Sequence, residues 1–165
     1  MKYLTFIRHA KSDWTNPGQT DFERGLNARG TRVAPKMGRK LKELEFHPNK
    51  IYCSSAVRTK ETASLLVEQL DYPLGEVNYT KDLYEASVRT LFEFVTKLDD
   101  QFHDVAFIGH NPSMTYLAES LTQAVLDNIP TCGVVRMSFP FDEWKMVSQA
   151  TGNLIYYIYP KEFDF

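Results

Sequence analysis

Met1-Lys2-Tyr3-Leu4-Thr5-Phe6-Ile7-Arg8-His9-Ala10-Lys11-Ser12-Asp13 opens the chain, and its first seven residues are apolar or aromatic except for Lys2 and Thr5. That composition predicts a buried strand. The run stops abruptly at a cation and an imidazole. A strand ending in Arg8-His9 delivers both side chains to its C-terminal edge, where open α/β sheets bind ligands. Val105 to Ile108 repeats the arrangement and ends in Gly109-His110-Asn111. Two strand-end histidines in one chain point to a site more strongly than either does alone.

Outward from these two strands, helical and extended periods alternate. Asn27 reads as a helix N-cap, and Val33, Met37, Leu41 and Leu44 follow at helical spacing to about Glu45. Pro35 inside that stretch predicts a kink or a restart. Lys50 to Ser54 reads as a strand, Val57 to Leu70 as a helix, Glu76 to Thr80 as a weak strand and Val88 to Leu98 as a helix. Pro112 is expected at the first position of the next helix. Gly133 to Phe139 and Asn153 to Tyr159 alternate enough to be late strands, paired as a hairpin or meander. The βαβαβα order predicts a three-layer α/β/α sandwich whose mainly parallel sheet carries an antiparallel edge. No linker or repeat interrupts it, so residues 1–165 are expected to form one domain.

Composition narrows the function classes. A net charge of −2 argues against a nucleic-acid binder that works through bulk electrostatics, though not against a local basic pocket. No apolar stretch approaches the ~20 residues of a membrane span, and no signal peptide is apparent. Cys53 and Cys132 lack C-x-x-C spacing and read as reduced core cysteines. A cytoplasmic protein is expected, without nucleic-acid or membrane partners.

Arg8, His9, Ser54, Arg58 and His110 all fall at strand ends or on the first turn of a following helix, so the topology gathers them in one crevice. All are hydrogen-bond donors or cations, and such a pocket holds an anion. A phosphoryl group is the most economical choice. Guanidinium forks match its oxygens, and helix N-termini after Ser54 and His110 add N–H groups. Charge-assisted bonds contribute ~1.5–3 kcal/mol each, so three or four hold phosphate without a metal. Two histidines without a third ligand make a poor zinc site, and neither metal nor cofactor is expected. His9 is the expected nucleophile, kept neutral by Arg8 and Arg58. Its other ring nitrogen should donate to a backbone carbonyl and fix the tautomer. His110 is expected to be the charged donor to the transferring oxygens, beside both arginines. Ser12 and Asn111 are expected to add contacts to the substrate. Glu85, directly after Leu83-Tyr84, is expected to protonate the leaving group, ahead of Asp13 and Asp21. Trp14 and Trp144 are expected to pack, while Lys11, Lys81 and Arg89 read as solvated surface charges.

Four blocks of these residues carry a resemblance. Arg8-His9-Ala10-Lys11-Ser12 resembles the R-H-G/A-x-S signature of the histidine phosphatase (phosphoglycerate mutase-like) superfamily. Ser54 through Arg58-Thr59-Lys60-Glu61-Thr62-Ala63 is similar to its R-x-x-x-T-A block. Leu83-Tyr84-Glu85 resembles the block that ends in an acid, and Gly109-His110-Asn111-Pro112 the block with the second histidine. Within the superfamily, the stretches from Arg29-Gly30 to Gly38 and from Pro130 to Phe139 and Trp144 are similar to the short SixA-type phosphohistidine phosphatases. The resemblance implies phosphoryl transfer to His9, with Arg8, Arg58 and His110 around the phosphate, on a monomeric or weakly dimeric domain without metal. Ala10 stands where the larger superfamily more often has glycine. Some short members lack a clear acid; Glu85 here leaves room for phosphate esters as well.

The expected activity is therefore phosphoryl transfer to His9 and then to water, with phosphohistidine in a protein as the substrate. The chain is short, which leaves little sequence for a lid. The alternatives are a small-molecule phosphate monoesterase or mutase acting on a phosphorylated metabolite, and a non-catalytic phosphate-binding module. A mutase would need extra cations and a closed pocket, and pure binding would not need His9.

Overall fold

The computed structural model describes residues 1–165. Its sheet has six strands: β1 (Lys2–Arg8), β2 (Lys50–Ser54), β3 (Asn78–Thr80), β4 (Asp104–Gly109), β5 (Val134–Phe139) and β6 (Asn153–Ile158). They lie in the order β3-β2-β4-β1-β5-β6. The first four are parallel; β5 pairs antiparallel with β1, and β6 antiparallel with β5. This is the expected three-layer α/β/α arrangement, antiparallel edge included.

Period-two alternation assigns each strand residue to a layer. Leu4, Phe6, Val105, Phe107, Val135 and Met137 face one side of the sheet. There they meet α3 (Val88–Thr96) and α4 (Ser113–Thr122) through Leu91, Val95, Leu117 and Leu121. Ile7, Ile51, Cys53, Ala106, Ile108 and Val134 face the other side. They are covered by α1 (Ala28–Glu43) and α2 (Val57–Leu70), which pack on each other. The chain runs outward from β1 to β3 over one face and returns to β4 over the other.

Local chemistry sets the element ends. The Asn27 side chain accepts from the Gly30 N–H at 2.8 Å and caps α1. Pro35 does not restart the helix, which is continuous from Ala28 to Glu43. The carbonyl that Pro35 deprives of a partner belongs to Thr31, an exposed residue whose backbone water can reach. The weak strand shortens to Asn78–Thr80 because Leu74–Glu76 turns as a 3-10 helix. Pro112 occupies the cap of α4 rather than its first helical position. Trp144 is fully buried, whereas Trp14 is 73% exposed and does not pack into the core. No helix is long and apolar enough to cross a membrane.

Candidate active site

Register brings the two histidines together. β1 and β4 are parallel neighbours in which Arg8 lies beside Gly109, so the next residues, His9 and His110, emerge side by side. Their ring centroids are 5.4 Å apart. β2 lies on the far side of β4 with Cys53 level with Ile108, which puts Ser54 at the same edge. The His110 Nε2 lies 2.8 Å from Ser54 Oγ. Arg58, on the first turn of α2, approaches the same ring, with Nη2 3.4 Å from His110 Nδ1. A cavity of about 230 Å³ opens here, lined by Arg8, His9, Ser12, Arg58, His110 and Asn111 among others.

The tip of β1 is tied from three sides. The His9 N–H donates to the Gly109 carbonyl at 3.1 Å, and the Cys132 N–H is shared between the Arg8 and His9 carbonyls. The Ala10 N–H donates to Thr62 Oγ1 at 2.9 Å, and that hydroxyl donates to the Arg58 carbonyl one turn earlier. The spacing of Arg58 and Thr62 thus locks the guanidinium-bearing turn of α2 to the backbone beside His9.

His9 is 7% exposed, and its Nδ1 lies 2.7 Å from the Ala10 carbonyl oxygen, which can only accept. Nδ1 therefore carries the proton and Nε2 holds the free lone pair. Burial lowers the His9 pKa to about 4; the Ala10 carbonyl opposes that shift, and Arg58, Arg8 and Arg24 add to it. The expectation of a neutral imidazole agrees with this, although burial rather than the arginines is its main cause.

His110 has a lowered pKa of its own. Burial, with His9 and Arg58 close by, lowers its pKa to about 3, so the anion-free ring is neutral and not an imidazolium. Arg58 can only donate, so Nδ1 accepts and Nε2–H donates to Ser54. Asn111 differs from expectation: it borders the cavity, but its carboxamide is committed to Asn128, the Ile129 carbonyl and Thr115. Nor does the N-terminus of α2 offer its first N–H to an anion, because Val57 donates to the Phe22 carbonyl at 3.0 Å.

Glu85 does not border the cavity. It is exposed, sits at φ 53° in the left-handed region, and forms no hydrogen bond with the pocket. Its neighbour Tyr84 is the residue that packs edge-on against His110, with centroids 5.5 Å apart. Asp13 is held by Thr15 instead. The carboxylate joined to the site is Asp21. It accepts from Arg58 at 3.0 Å, from Arg24 at 2.8 Å and from the Tyr84 hydroxyl at 2.6 Å. Despite some burial, these bonds and the Arg58 charge hold its carboxyl well below the usual carboxylate range.

Arg24, unremarked in the sequence, is a third pocket guanidinium. It is 8% exposed, donates to Ser12 Oγ, and stacks 3.5 Å over the Trp14 ring. Ser12 is thus spent partly on orienting Arg24. The loop from Asp13 to Gly25 brings Asp21 and Arg24 back over the pocket. It closes where Ser12 bridges Leu26, with Asp13 N–H donating to Gly25 and Asn27 N–H to Lys11. The one available signal was an Asp and an Arg three apart inside that polar loop. The Nε–H groups of Arg8, Arg24 and Arg58 are all buried without a protein acceptor.

The histidine phosphatase superfamily (branch 1) matches residues 4–93. This chain belongs to that superfamily. The match includes the Arg8-His9 strand, the Arg58 helix and Glu85, while His110 lies beyond it. An uncharacterized protein of Mycobacterium leprae is 26% identical over 167 residues, covering 94% of this chain and all of the relative. Among solved structures, a candidate phosphohistidine phosphatase SixA from Agrobacterium tumefaciens superposes with a TM-score of 0.82. It is 24% identical, covering 96% of this chain and 98% of the other. The protein histidine phosphatase SixA complexed with tungstate also gives 0.82 at 16% identity, covering 98% and 99%. The fold is that of the short SixA-type histidine phosphatases.

Proposed function

We propose that the protein is a phosphatase that takes a phosphoryl group onto His9 Nε2 and passes it to water, with phosphohistidine in a protein as its substrate. The observation that carries this reading is one cavity ringed by three guanidiniums and two neutral imidazoles, with no acidic residue in its lining. Superfamily membership supports phosphatase chemistry, and tungstate bound to a SixA of the same fold fits an oxyanion pocket.

His9 Nε2 forms the bond to phosphorus as the bond to the leaving atom breaks. Arg8, Arg24 and Arg58 carry the charge on the equatorial oxygens. The dianion favours an imidazolium at His110, which then becomes a donor to those oxygens. Water attacks phosphorus in the second step, releasing inorganic phosphate and restoring neutral His9. The leaving group supports the choice of substrate. Asp21 is bound to two guanidiniums and held ionised, so it is a poor acid, and Glu85 stands outside the cavity. A phosphohistidine ring can take a proton on its own second nitrogen and leave as neutral imidazole. An alkyl ester has no such resource and would need Glu85 to swing inward.

The test compares a histidine-phosphorylated peptide with an alkyl phosphate ester, and probes for an acid-labile phosphoryl group on His9. We expect rapid turnover of the peptide, slow turnover of the ester and labelling that His9→Ala abolishes. Fast ester hydrolysis without peptide turnover would favour a small-molecule phosphatase. Binding of phosphate without labelling or turnover would favour a non-catalytic module.

A further inference from the structure

A second cavity, of about 170 Å³, adjoins the first, and Lys11 and Thr131 line both. Its remaining charges are Arg29 and Lys161, and no acidic residue lines it. Val33, Pro130 and Pro160 give it an apolar floor. Neither Lys11, Arg29 nor Lys161 forms an ion pair with an Asp or Glu side chain; Arg29 donates to an oxygen of the terminal residue Phe165 at 3.2 Å. Three cations thus border one hollow that no Asp or Glu side chain lines, on a chain whose net charge is −2. They come from separate places: the turn after β1, the first turn of α1 and the segment after β6. The fold, not a run of basic sequence, gathers them.

We infer that this second cavity is a subsite for an acidic side chain of the phosphoprotein substrate, close to the phosphohistidine that enters the first. The inference rests on the reading of the protein as a phosphohistidine phosphatase. The cations suit a carboxylate, and the apolar floor suits the methylene stem of a glutamate. Contiguity through Lys11 and Thr131 lets one substrate segment reach both cavities at once. The subsite would act on substrate capture and not on the chemical step, because none of its charges except Lys11 borders the reacting group.

The experiment uses two histidine-phosphorylated heptapeptides, one with two glutamates on each side of the phosphohistidine and one with glutamines instead. Each is assayed with wild type, Lys161→Glu and Arg29→Gln. We expect wild type to show a KM about five- to tenfold lower for the glutamate peptide, consistent with one or two partly exposed ion pairs. The advantage should shrink as salt rises. Lys161→Glu should abolish it, Arg29→Gln should reduce it, and turnover of the glutamine peptide should be unchanged in both. Equal KM values for the two peptides in wild type, or a difference that survives both variants, would overturn the subsite and leave the phosphatase reading intact. Failure to turn over either peptide, with p-nitrophenyl phosphate still cleaved, would overturn both.

Discussion

His9 illustrates how much of a catalytic property belongs to a single side chain's surroundings. Burial lowers its pKa to about 4, so the nucleophilic neutral ring persists well below the ordinary imidazole value of 6.5. The acid limb of kcat/KM with p-nitrophenyl phosphate should therefore fall near pH 4 rather than near 6.5. A limb at 6.5 would mean that the ring is solvated in the working enzyme. Asp21 carries a different prediction. It aligns Arg24 and Arg58 by charge-assisted bonds, each worth ~1.5–3 kcal/mol. Asp21→Asn should lower kcat/KM roughly ten- to a hundredfold, with kcat falling more than KM rises, because the loss is felt most where charge develops. Steady-state kinetics at fixed pH distinguishes this from a general acid, whose loss would spare good leaving groups.

Helix α1 shows how an element can position a site that it does not enter. Its N-cap Asn27 and the close approach of Gly30 seat its first turn on the backbone of Lys11, two residues beyond His9. A Cβ built on Gly30 would lie 2.2 Å from the Lys11 carbonyl oxygen, so backbone must move to admit it. Gly30→Ala should cost roughly 1–3 kcal/mol through overpacking and should also reduce activity by displacing the strand tip. Asn27→Ala should cost about 1 kcal/mol with activity largely kept, seen as a melting temperature lower by about 2–4 °C. Equal effects of the two substitutions on turnover would show that the contact with Lys11 does not matter to the site. Most helices were legible because apolar residues recur at 3.6-residue spacing; α2, Val57–Leu70, matches its expected bounds. Of the two effects expected at Pro35, the restart does not occur, since a helix tolerates one missing N–H when the orphaned carbonyl belongs to an exposed residue such as Thr31.

Across the whole molecule, the buried histidines couple stability to pH. His9 and His110 titrate near 4 and 3 in the folded protein and near 6.5 when unfolded. Between those values the unfolded chain binds more protons, so stability rises with pH there. The contribution is full above about 6.5 and is lost as pH falls toward the folded values. Calorimetry should show the melting temperature dropping between pH 7 and 4.5, with a shallower drop in His9→Ala. Asp21 adds its own loss at lower pH, beneath the ordinary carboxylate range, because its folded pKa is depressed. A flat profile through pH 5 would contradict the burial of both rings.

Strand and helix periods and the Arg-His and Gly-His strand endings are local patterns, and from them came the layers, the parallel core of the sheet and the meeting of His9, Arg58 and His110. Parallel pairing of β1 with β4 converts two separate strand ends into adjacent side chains, which is why that part of the site was readable. The third guanidinium was not, because Arg24 reaches the pocket only through a loop closed by the Ser12–Leu26 bridge and anchored on α2. The neutral resting ring of His110 was not legible for a related reason: it depends on burial and on His9 and Arg58, none of which lies beside it in the chain. Glu85 matched its motif, but a left-handed backbone turn leaves its carboxylate exposed, and Tyr84 takes the place against the ring. Short-range periodicity is written along the chain; desolvation and long-range ion pairing exist only once distant segments have packed.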